Sequence, residues 1–125
     1  MKRVVISVVL LIGAVVFSVI SYFTVNSRVD RIIELMKTDR EITMSTSSPD
    51  KERTNKISEE WDKNETYLVS MLTHHELEEV EIGIMCLTDY MNQGYTEEYI
   101  KTLNECINRL NHIKETEKAD TKNIF

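Results

Sequence analysis

The chain opens on hydrophobicity without a period. From Val4 to Val25 it reads VVISVVLLIGAVVFSVISYFTV, with no charged residue and a single glycine. As a helix rising 1.5 Å per residue this run spans roughly 33 Å, enough for a bilayer core of ~30 Å. A core helix of a water-soluble domain breaks such a run with polar positions every third or fourth residue, and this one does not. A cleavable signal peptide has a shorter apolar region, about 7–15 residues, ending at an A-x-A-like site. Val19-Ile20-Ser21 fits that site poorly, and no cysteine near the end of the run offers a lipid-attachment point. The segment reads as an uncleaved anchor.

Beyond Val25 the pattern becomes helical. Val25, Val29, Ile32, Ile33 and Met36 share one side, while Arg28, Asp30, Arg31, Glu34, Lys37 and Asp39 fill the other. The anchor helix is therefore predicted to continue to about Ile42. Residues 43–48 (TMSTSS) form a low-complexity linker ahead of the only proline. Ser48, Pro49 and Asp50 have the composition of a helix start: a hydroxyl cap, proline first, an acid in the first turn. Ile57, Trp61, Leu68 and Leu72 then make one apolar stripe, with Trp61 reading as core.

Residues 73–79 read THHELEE, a knot of histidine and carboxylate in a chain with three histidines. Thr73 and Glu76 form T-x-x-E, a capping box in which each side chain bonds the other's backbone amide. Leu72 and Leu77 flank it as a hydrophobic staple. The next helix carries Leu77, Val80, Ile84, Leu87 and Met91 at steps of three and four. Gly94 suits a left-handed helix end. Thr96 starts the last helix, with Glu97 and Glu98 in its first turn and Tyr99, Leu103, Cys106, Ile107, Leu110 and Ile113 on one face.

No segment alternates with period two, so the fold class is all-α: an N-terminal transmembrane helix continuing into a small antiparallel helical bundle. The expected divisions are a cytoplasmic tail (1–3), the anchor (4–25), a juxtamembrane helix (26–42), the linker (43–48), the bundle (49–117) and a C-terminal tail (118–125). Helices are expected at about 49–72, 74–93 and 97–117. The tail is polar until Ile124-Phe125, which either folds back over a groove of the bundle or binds a partner.

Charge sets the orientation and limits the partners. Lys2 and Arg3 favour a cytoplasmic N-terminus, and Tyr22 and Phe23 suit the opposite interface. Arg28, Arg31, Lys37 and Arg40 follow the span and count the other way. The three-residue tail, with two charges and the free amine, resists translocation more strongly, so residues 26–125 are expected outside the cytoplasm. Removing Lys2 and Arg3 from 15 basic residues leaves 13 against 21 acidic ones, a net charge of −8. That balance opposes nucleic acid and anionic surfaces, which need clustered Lys and Arg.

The chain resembles domain-of-unknown-function family 4363, small bacterial membrane-anchored proteins. The resemblance rests on the MKR start and apolar anchor, Trp61-Asp62-Lys63, His75-Glu76-Leu77, His112-Ile113, Glu117-Lys118 and the ending Asn123-Ile124-Phe125. It covers essentially the full length and implies an all-helical exported domain behind one span. It supplies no activity and no catalytic residues. The STSS linker and the cysteine pair lie outside the shared pattern.

Candidate chemistry is sparse. His75 and Glu79, at i and i+4, share a helix side as in the HExxH zinc helix, but the second histidine is replaced by Glu79. His112 falls about 180° from Leu103, on the wet face. A zinc site needs at least three protein ligands, so His74 reads as solvent-facing and His75 as hydrogen-bonded to a neighbouring helix. No glycine-rich loop or nucleophile elbow accompanies the cysteines. Cys86 and Cys106 sit at one level of an antiparallel hairpin, either as small core residues or, outside the cell, as a disulfide. Asn64-Glu65-Thr66 matches a glycosylation sequon on a predicted helix and carries little weight.

The reading is a non-enzymatic accessory module with no cofactor or metal, held in the bilayer by residues 4–25 and binding a membrane or envelope protein. The alternatives are a metal-dependent envelope hydrolase using His75 and Glu79, and a sensor of peptide or cell-wall fragments in a groove between helices.

Overall fold

A computed structural model describes the backbone of residues 1–72 and 74–124 and the side chains of residues 1–72 and 75–116. Among the described residues it is all helix: α1 (Lys2–Thr46), α2 (Lys51–Met71), α3 (His74–Gln93) and α4 (Thr96–Ile124). Each helix packs on the next and α4 returns to α1, so the four close into a ring in chain order. Short connections make neighbours antiparallel. Arg40 meets Asn104 at 2.9 Å and Asp30 meets Lys114, so the numbering of α1 and α4 runs in opposite directions.

The helix α1 has two halves with different surroundings. Its apolar first half is long enough to cross a membrane by length and composition. The most apolar stretch has mean hydropathy 2.9, and none of it is buried. From Val25 onward the same helix buries Val29, Ile32, Ile33 and Met36 against α2 and α4. Residues 26–42 were expected to precede a separate bundle at 49–117; instead this half of α1 is the first wall of the bundle. Ile57, Trp61 and Leu68 of α2, Leu77, Val80, Ile84 and Leu87 of α3, and Tyr99, Leu103, Ile107, Leu110 and Ile113 of α4 complete the core. Leu72 and Met91 pack on it only partly. The Trp61 indole N–H is buried without a partner among the described residues.

The connections depart from expectation where side chains found tertiary partners. The expected linker 43–48 is largely helical, because α1 continues to Thr46 and Thr43 is buried. Ser47, at φ 58, ends α1 in the left-handed region. The cap of α2 is Asp50, whose carboxylate accepts from the Arg53 amide at 3.4 Å, and not Ser48 with Pro49 as first helical residue. Thr96 starts α4 as expected, and its hydroxyl donates to the Ser47 carbonyl, tying the two connections at this end together.

Gly94 does take the left-handed conformation, at φ 73. The Gly94 amide bonds the Met91 carbonyl and the Tyr95 amide bonds the Tyr90 carbonyl, a Schellman motif with the Tyr90 and Tyr95 rings 6.5 Å apart as its apolar contact. The expected tail at 118–125 is helical through Ile124, extending α4 past residue 117. The Thr73 cap and the packing of the Ile124 and Phe125 side chains lie outside the described residues.

Candidate functional site

Among the described residues of the THHELEE stretch no ligand set is assembled. His75 is exposed. Glu79 faces Arg109 at 3.7 Å, and Glu76 accepts a 2.9 Å hydrogen bond from His112 Nδ1. The helix-to-helix bond expected of His75 is thus made one residue later. Among the described residues no three His, Cys, Asp or Glu side chains gather around a common point. These pairs are largely solvated, the kind worth under about 1 kcal/mol each.

Cys86 and Cys106 are free thiols in this structure. Cys106 is buried, and burial, helped by the nearby Glu105 carboxylate, pushes its thiol up to about 12. It fits because Gly83 opposite has no side chain; a Cβ there would collide with Cys106 Sγ. On α2, partial burial holds the Glu65 carboxyl above its ordinary value, with the Glu81 and Asp62 carboxylates adding to the shift.

The most developed polar constellation lies inside the bundle, at the end away from the apolar run. Asp39 is 2 % exposed, although it was expected on the charged outer face. Its carboxylate accepts from Tyr99 Oη, from Arg53 Nε at 2.9 Å and from Thr43 Oγ1 at 3.2 Å. Tyr99 is fully buried, and its oxygen lies 2.7 Å from Thr54 Oγ1. Burial, then the hydrogen bond to Asp39, raises the Tyr99 phenol above its ordinary value of 10.0. The missed signal was spacing. Positions 25, 29, 32, 36, 39 and 43 step by four and three, so Asp39 and Thr43 continue the apolar seam. A polar residue type was read as an outward direction.

Beside this cluster an open groove of about 500 Å³ runs between α1 and α2. Its lining includes the apolar Leu35 and Ile42 and two ion pairs, Arg53 with Asp50 and Lys56 with Glu52. Asp39, holding three donors, has little acceptor capacity left for a reacting proton. The arrangement is a mixed-charge, partly apolar trough open to solvent.

The family model described as Domain of unknown function (DUF4363) matches residues 19–124, and the chain belongs to that family. Searches of curated proteins and of solved structures returned no match.

Proposed function

We propose that this member of a family without an assigned activity is a membrane-anchored helical interaction module. Its bundle stands on the extracytoplasmic side, and its α1–α2 groove receives a segment of a membrane or envelope protein. The observation that carries the reading is the continuity of α1. One unbroken helix is both the exposed apolar run and a buried wall of the bundle. A bundle built this way has no hinge at its base, so the groove would be held at a set height above the bilayer. Such rigid positioning supports docking of a partner at a fixed height.

Two measurements test it. A compartment-sensitive reporter fused after Phe125 is expected to be active only outside the cytoplasm. Photo-crosslinking side chains at Ile42 and Lys56, in the groove, are expected to trap one discrete partner in intact cells, and one at Asp89 on α3 is not. Cytoplasmic reporter activity, or equal trapping from all three positions, contradicts the proposal.

A further inference from the structure

Nearer the apolar run a second, polar recess of about 470 Å³ lies between α1 and α2; its lining includes Phe23, Ser27, Arg28, Lys63 and Asn64, with the Arg31–Glu60 pair at its side. Arg28 is partly buried here and firmly held. Its Nη1 donates to Asn64 Oδ1 at 2.6 Å, and its guanidinium lies 4.4 Å over the Tyr67 ring. Asn64 is itself 2 % exposed, and its amide N–H groups donate to the Glu60 carbonyl at 2.7 Å and Glu60 Oε1 at 3.1 Å. Those two bonds turn the amide oxygen toward Arg28.

The guanidinium has no counter-ion. Among the described residues no carboxylate lies within ion-pair distance of it, and the nearby Glu60 is engaged by Arg31 Nε at 3.2 Å. By contrast, Lys114 of α4 is neutralised by Asp30 of α1. An aspartate at 64 would have neutralised Arg28 in the same way. The buried amide instead fixes the guanidinium and leaves its charge uncompensated, with most of its five N–H donors unspent. Ser27, one turn beyond Phe23, also keeps its hydroxyl out of the helix. Ser7, Ser18 and Thr24 each return theirs to the carbonyl four residues back, and Ser27 shows no such bond.

We propose that Arg28, with Lys63 and the Ser27 hydroxyl, binds the phosphate of a membrane phospholipid. The inference rests on the membrane reading. Arg28 lies three residues past Val25, about 4.5 Å along the helix, within a headgroup layer of roughly 5–7 Å. Phe23, 63 % exposed, marks the apolar edge of the same recess. A phosphate oxygen pair matches the guanidinium fork, and a phosphodiester supplies the missing charge. The acidic balance of the rest of the bundle disfavours adsorption on an anionic surface, whereas this recess engages a single phosphate.

The test uses the full chain in neutral maltoside micelles, with the thermal midpoint of the bundle as readout. Added phosphatidylglycerol or phosphatidylcholine is expected to raise the midpoint saturably; diacylglycerol with the same tails is not, and neither is inorganic phosphate at matched ionic strength. Lys63→Gln is expected to weaken the phospholipid effect about fivefold, the weight of one basic side chain near a membrane surface. Lys101→Gln, at an exposed position of α4 away from both cavities, leaves it unchanged. Arg28→Gln is expected to abolish the effect, but its bond to Asn64 makes it a risk to folding, so Lys63→Gln decides.

Equal stabilisation by diacylglycerol, or no change in Lys63→Gln, overturns the site. Saturation by inorganic phosphate with the same variant sensitivity overturns the lipid source. Flotation separates the two readings: a chain that fails to float with phosphatidylcholine vesicles overturns the membrane reading. One that floats but shows no phosphate dependence overturns this site alone.

Discussion

At the scale of single residues, the interior is specified by polar groups as much as by apolar ones. Tyr99 donates to Asp39 and lies against Thr54, joining α4 to α1 and α2 across the core. Tyr99→Phe keeps the ring and removes those bonds, leaving buried acceptors short of a donor. A loss of about 1–3 kcal/mol is expected by chemical denaturation. Glu65 works in the opposite sense. Because the fold holds its proton more tightly than the unfolded chain, the site favours folding below its ordinary value of 4.5 and opposes it as pH rises through the raised value. Glu65→Gln should therefore raise the thermal midpoint at pH 7, and the gain should vanish when the comparison is repeated below pH ~4. The apolar positions of these helices were legible because they repeat. Asp39, Thr54 and Asn64 occupy the same repeats, but their partners come from distant parts of the chain, so residue type alone pointed Asp39 to solvent and gave no sign that Thr54 and Asn64 are buried.

At the scale of helices, ends set by local chemistry were legible and ends set by tertiary contact were not. Gly94 terminates α3 because only a residue without Cβ takes φ 73 at little cost. The end of α1 followed a different rule: the Thr- and Ser-rich stretch has weak helix propensity, yet Thr43 is buried beside Asp39 and the helix persists to Thr46. Gly83 gives a sharp test of packing against propensity. In an exposed helix Gly→Ala stabilises by about 1 kcal/mol. Here the added methyl meets Cys106, and overpacking of a core costs about 1–3 kcal/mol. Gly83→Ala should thus lower the denaturation midpoint, and Gly83→Ala/Cys106→Ala should recover more stability than the two single changes predict additively.

At the scale of the whole molecule, the all-helical class, the apolar N-terminal helix and the antiparallel bundle were readable from periodicity. The division of the chain was not. An anchor, a linker and a bundle starting at 49 gave each composition its own segment, while packing joined the second half of α1 to the core. The THHELEE stretch drew attention by residue type, but its Glu76 and Glu79 form largely solvated pairs with His112 and Arg109, and the developed polar cluster lies at the other end of the bundle. The central claim is that the helix carrying the apolar run is also an indispensable wall of the bundle. Thermal unfolding of two fragments, 24–125 and 49–125, followed by circular dichroism, addresses it directly. The fragment 24–125 keeps Val25 through Thr43 and is expected to unfold in one cooperative transition; 49–125, stripped of Asp39 and the α1 seam, is expected to show none. Cooperative unfolding of 49–125 at the same temperature as 24–125 would contradict the account.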